Sequence, residues 1–205
     1  MLFQALDENG LAVQSMRAGV YFQPGEVVSC MGCHEPKTSD RGYSSSAMPK
    51  RALMRPPSEP KPDVDGSNPW SYPRLVQPVL DKHCVACHEE KKDKAPPLDA
   101  GLVTRHGPSN VDTTTTYFAS YLSLAPNFAF TDYGDSLRTI PGKFGARGSK
   151  LYEMLSNGHH EVKLTDEEMH RITLWLDSVS QFYGVYEKDG GEAQLRGEVP
   201  KPSLE

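Results

Sequence analysis

Pro73-Arg74-Leu75-Val76-Gln77-Pro78-Val79-Leu80-Asp81-Lys82-His83-Cys84-Val85-Ala86-Cys87-His88 is the stretch on which the reading of this chain turns. Its apolar residues recur at helical spacing up to the first cysteine, which predicts a helix that delivers Cys84. Two thiols three residues apart, followed at once by a histidine, suit the attachment of a porphyrin. The sulfurs reach its two vinyl groups and the histidine turns beneath the ring to bind iron. The same arrangement occurs earlier, as Cys30-Met31-Gly32-Cys33-His34, and the two motifs use all four cysteines of the chain. A zinc site, a pair of disulfides or a redox dithiol would also draw on Cys-X-X-Cys pairs. None of these requires a histidine directly after each second cysteine. The expectation is therefore two covalently bound haem c groups, with His34 and His88 as proximal iron ligands.

Composition points the same way. Of 205 residues only 37% are hydrophobic, and 17 prolines and 17 glycines favour irregular backbone, so side chains alone supply a thin core. A buried macrocycle would add apolar surface for loops to pack against. The formal net charge of -5 lacks the basic excess with which proteins neutralise phosphates, so no nucleic-acid partner is expected. No run approaches the roughly 20 apolar residues that cross a bilayer, and residues 1–20 lack the order of a secretory leader. Thioether formation is nevertheless completed outside the cytoplasm. The expected location is the periplasm or an equivalent extracytoplasmic compartment, with the leader not present in this chain. Met1-Leu2-Phe3-Gln4-Ala5-Leu6-Asp7 reads as the middle of a strand-and-turn passage, as in a fragment of a longer protein or a subunit of a complex.

Residues 1–29 alternate apolar and polar positions and are interrupted at Asp7-Glu8-Asn9-Gly10 and Pro24-Gly25, which predicts short strands. Residues 36–69 are rich in proline, serine and charge and read as a connector. Residues 89–148 again read as irregular. Helical pattern returns at Ser149 to Leu155, ended by Gly158, and at residues 166–182, where Thr165 and Glu168 form a capping-box signature. Met169, Ile172, Leu176 and Val179 define the apolar face of that helix, with Trp175 alongside. The fold class is thus mainly α with much irregular structure. It divides into an extended segment, 1–69, with the first haem; a helical domain, 70–187, with the second; and a polar tail, 188–205. The order of helix, motif, loops, helix, helix across residues 70–186 resembles a small class I cytochrome c domain.

The sixth iron ligands decide between electron carrier and catalyst, because an open axial position admits a small molecule. His159 and His160 stand in a short loop between the two C-terminal helices and are the leading candidates for the second haem, His159 first. His106, in a loop-like passage, is an alternative. His83 is too near Cys84 to reach the far face of its own haem, and His170 reads as a polar-face residue. Met16, Met48, Met54, Met154 and Tyr43 are further candidates, and none in residues 1–69 stands out for the first haem.

Phe22-Gln23-Pro24-Gly25-Glu26 ahead of the first motif, Leu75-Val76-Gln77-Pro78-Val79-Leu80-Asp81 ahead of the second, Gly158-His159-His160, Trp175-Leu176-Asp177 and Phe182-Tyr183-Gly184 resemble the C-terminal dihaem region of hydrazine synthase alpha-subunit-like proteins. The likeness extends over nearly the whole chain, and the second half also resembles planctomycete-type cytochrome c modules. The resemblance implies a second haem held by His88 and His159 that relays electrons. It implies a first haem that is the catalytic centre, with tyrosine on its iron and the motif histidine drawn to zinc. That tyrosine falls four residues after the motif histidine, where this chain has Thr38, so the resemblance does not supply the ligand here. Such proteins often carry a propeller-like region ahead of this one. Two functions follow as expectations. One is a dihaem c-type cytochrome exchanging electrons with a redox partner protein. The other is a multihaem oxidoreductase related to hydrazine synthase, or a small-ligand site for nitrogen compounds or peroxide, at a weakly ligated first haem, with catalytic residues unassigned.

Overall fold

Local signals account for the first element pair. The computed structural model describes residues 2–17, 23, 25–26, 54–107, 113–129, 140–186 and 190–201. The first motif, Cys30 to His34, lies outside these residues, as do Thr38, Tyr43 and Met48. By packing, the chain divides into one unit of Leu2–Arg17 with Asp63–Glu205 and another that includes Ala18–Pro62. Residues 1–69, one segment in the sequence reading, are thus shared between the two. In the smaller unit Glu26 N donates to Gln23 O at 2.9 Å, and Arg55 Nη1 donates to Ser58 Oγ at 2.7 Å.

In the larger unit β1 (Leu2–Leu6) and β2 (Ala12–Arg17) pair antiparallel, with Ala5 opposite Gln14. The turn between them is held by Asp7, whose Oδ1 accepts from Asn9 N and Leu11 N, each at 2.9 Å. The helix predicted over residues 73–84 is divided into α1 (Tyr72–Leu75) and α2 (Gln77–His83). Pro78 is the reason: it has no N–H to give and its ring displaces the carbonyl four residues back, so it is accommodated only in the first turn of a new helix. A further break at Cys84, with φ of -123°, starts α3 (Val85–Glu90), which carries Cys87 and His88.

Residues 89–148 hold more order than their sequence suggests. β3 (Leu102–His106) and β4 (Thr114–Phe118) form a second antiparallel hairpin with Thr104 opposite Thr116, and α4 (Ala119–Asn127) follows. After α5 (Gly145–Gly148), Ser149 caps α6 (Lys150–Asn157) by accepting from Tyr152 N at 3.0 Å. Gly158 ends α6 with φ of +92°, a left-handed value that suits glycine. In α7 (Asp166–Asp177) the capping box forms as the sequence indicates: Thr165 Oγ1 accepts from Glu168 N at 3.2 Å, and Glu168 Oε2 accepts from Thr165 N at 2.8 Å. The helix stops five residues before the expected end, because Val179 and Ser180 adopt φ of +74° and +50°. The polar tail contains α8 (Gly191–Leu195), and buried Gln194 ties it down by accepting from Gly184 N at 2.7 Å.

The core forms where Tyr72, Leu75, Val76, Val79 and Leu80 meet Ile172, Trp175 and Leu176 of α7. Tyr72 has Trp175 edge-on at 5.1 Å and Tyr121 edge-on at 5.2 Å, with Phe182 stacked at 5.7 Å. Such ring pairs add to what area burial supplies. Asp177, only 4% exposed, joins three elements: its Oδ2 accepts from Ala12 N at 3.0 Å and its Oδ1 from Ala146 N at 2.7 Å, while its carbonyl accepts from Gln4 Nε2 at 2.7 Å. The larger unit is therefore mixed helix and strand, with a helical core and the β1–β2 hairpin fastened to the end of α7.

Candidate functional site

The helices leave a space between them. Val79, Leu80, Leu98, Leu124, Phe128, Leu151, Leu155, Leu164 and Ile172 line an apolar cavity of about 410 Å³, within the range of cofactor pockets. Cys84, Cys87 and His88 lie on one wall; His159 and His160, in the loop between α6 and α7, lie on the other. Among the described residues, the only other charged-type side chains lining it are those of Lys91 and Lys94.

His88 is oriented by the main chain. Its Nδ1 lies 2.8 Å from Pro96 O, and because a carbonyl only accepts, Nδ1 carries the proton and Nε2 is the nitrogen left free. Across the cavity the ring of His159 has its centroid 6.3 Å from that of His88, the planes inclined at 46°. The loop reaches this position through the glycine exit from α6, a turn in which Val162 N donates to His159 O at 3.1 Å, and a left-handed His160 at φ +52°. His160 sits edge-on to His159 at 4.6 Å and is the more exposed of the two. Burial, then the neighbouring His160, His88 and Lys91, hold the pKa of His159 below the usual histidine value. The neutral imidazole that results is the form that binds metals.

The thiols show neither of two competing chemistries. Cys84 and Cys87 are free of any disulfide, and burial, followed by the neighbouring Cys87, pushes the Cys84 thiol up to about 11. A redox dithiol has the opposite shift. Among the described residues no three His, Cys, Asp or Glu side chains gather as a metal-holding cluster.

The other candidates lie elsewhere. His106 is exposed on β3, its Nδ1 3.4 Å from Thr114 Oγ1, and does not line the cavity. His83 is bonded to Glu168 and His170 to Asp63. Met154 lines the cavity, whereas Met16 and Met54 are exposed and do not. Sequence reasoning missed Pro96, whose carbonyl orients His88, along with Phe128 and the two lysines. The only signal was the Pro96-Pro97-Leu98 run shortly after the motif.

Residues 1–35 match the family model described as the hydrazine synthase alpha subunit middle domain. The match reaches through the first motif, and it falls on the middle domain where the resemblance read from sequence was to a C-terminal dihaem region. No curated protein and no solved structure matches the chain. The first 35 residues are thus similar to that domain of hydrazine synthase.

Proposed function

We propose that the chain is a dihaem c-type cytochrome that transfers electrons, with one haem c in the cavity of the larger unit and the other attached at Cys30 and Cys33. The spacing of His88 and His159 carries this reading. Their ring centroids stand 6.3 Å apart across the cavity, so the two imidazoles are near enough to hold one metal centre between them. Haem c bound there would supply one-electron transfer at an iron with both axial positions taken.

Each part of the site then has a task. Cys84 and Cys87 would hold the ring covalently, and His88, oriented by Pro96 O, would offer Nε2 to the iron. His159 would be the second protein ligand and so exclude small molecules. The leucine, valine and phenylalanine walls keep water away and limit reorganisation on electron transfer. The chain would act in an extracytoplasmic compartment on a redox partner protein.

A haemochrome assay should count two haems per chain, and paramagnetic resonance should show the second as low-spin. His159→Ala should turn one iron high-spin and bind carbon monoxide there much faster than the parent. An unchanged spectrum in that variant would refute His159 as ligand.

One observation favours a second reading: the hydrazine synthase match spans Cys30 to His34. On that reading the first haem binds or transforms a nitrogen compound or peroxide, fed electrons by the second. Titration of the reduced protein with nitric oxide, hydroxylamine or peroxide tests it, and the absence of any response at the first haem would sink it.

A further inference from the structure

Glu168 reaches beyond its own helix. Its Oε2 accepts from Thr165 N at 2.8 Å, closing the cap of α7, while its Oε1 accepts from Lys82 Nζ at 2.7 Å and from His83 Nε2 at 3.0 Å. Lys82 and His83 are the two residues directly before Cys84 and so belong to the chain segment that bears His88. Thr165 directly follows Leu164, at the end of the loop that bears His159 and lines the opposite wall. One carboxylate thus spans the two chain segments that supply the facing imidazoles. A capping box needs only the Thr165 half of this arrangement. The Lys82 and His83 contacts serve a different purpose.

We propose that Glu168 is a positioning residue that holds the His159 loop closed against the Cys84–His88 segment and so keeps the sixth position of the second haem occupied. This rests on the bis-histidine reading of the cavity. At that end the loop is otherwise held by Leu164, which packs against the core. Besides the Thr165 contacts, its main-chain bonds are Gly158 N to Leu155 O at 3.3 Å and Val162 N to His159 O at 3.1 Å, both toward α6 or within the loop itself. Release of the carboxylate unties the start of α7, and with it the α7 end of the loop, from Lys82 and His83. The Lys82 contact is exposed and the His83 contact half-buried, so losing both shifts the closed-to-open balance by up to about tenfold.

The test uses the full holoprotein and the rate of carbon monoxide binding to the reduced second haem, identified as the binding phase that His159→Ala accelerates. Glu168→Ala should speed that phase about tenfold over the parent, with a visible high-spin fraction. Lys82→Met combined with His83→Leu should reproduce the effect while leaving the α7 cap intact. Thr165→Ala, which breaks the cap but leaves both contacts across the cavity, should lower stability without speeding carbon monoxide binding. Equal acceleration in Thr165→Ala would overturn the proposal in favour of simple helix fraying, as would parental rates in both Glu168→Ala and the double variant. Failure of the underlying reading is separate: it appears as a parent protein whose spectrum does not respond to His159→Ala.

Discussion

A carboxylate beneath three chain segments depends on the donors it meets. Burial raises the pKa of Asp177 despite backbone N–H groups from Ala146 and Ala12 and the charges of Arg147 and His170. Both oxygens are engaged, so Asp177→Asn should not relieve the site. The amide keeps one acceptor but turns an NH2 group toward a backbone N–H, a cost of about 2 kcal/mol that urea denaturation can measure. Gly145 has φ of +58°, and a Cβ there would lie 2.1 Å from Asp177 Oδ1, so Gly145→Ala should be at least as damaging. Glu168 shows the opposite titration behaviour. Lys82 first, then Thr165 N and His83, hold its carboxyl well below the usual glutamate value. A depressed folded-state value contributes stability above the unfolded pKa near about 4.3, and this is lost as pH falls toward the folded value. Asp177, raised, contributes with the reverse sign, its share fading as pH rises. The stability gap between the parent and Glu168→Gln should therefore be full at pH 6 and narrow by pH 3. A gap that does not change with pH would show that the Glu168 charge is not what matters.

Elements written locally in the sequence were the ones legible there. The start of α7 was, because Thr165 and Glu168 both act within three residues of each other; Thr165→Ala should cost about 1 kcal/mol in denaturant unfolding. The β1–β2 hairpin was also legible, its turn signalled by Asp7 to Gly10. β3 and β4 were not: the Thr113 to Thr116 run becomes a strand only through pairing with Leu102–His106, and nothing at either position names its partner. α4 was obscured by Pro126 inside its last turn. The division at Val76 needed Pro78 to be read as a first-turn residue rather than as one more apolar-pattern position. The end of α7 was hidden because Val179 fits the helical period yet takes a left-handed backbone. In the site, Cys84 to His88 and the Gly158-His159 loop carry residue-type signatures, and the structure brings the rings of His88 and His159 to 6.3 Å, tilted at 46°. The Pro96 carbonyl could not be foreseen, because every residue has one and only the folded chain selects which meets a histidine.

For the whole molecule, the cavity of about 410 Å³ is large beside a small core, and a large apolar group seated in it would complete the packing of its walls. Side chains do not close the space, since Val79, Leu80, Leu151 and Ile172 belong both to its walls and to the buried core. On the proposed reading the macrocycle is thus a structural part of the larger unit as well as its redox centre. Replacing Cys84 and Cys87 with serine, which prevents attachment at this site alone, should leave a chain that retains far-ultraviolet helix signal but loses its near-ultraviolet fine structure and its cooperative thermal transition, the marks of secondary structure without fixed packing. The β1–β2 hairpin should loosen with it, because its tie runs through Asp177 at the end of α7, and Ala12 N should lose protection from hydrogen exchange. A serine variant that melts as sharply as the parent, with Ala12 still protected, would mean that the helices pack without the ring and that the cavity serves some smaller ligand.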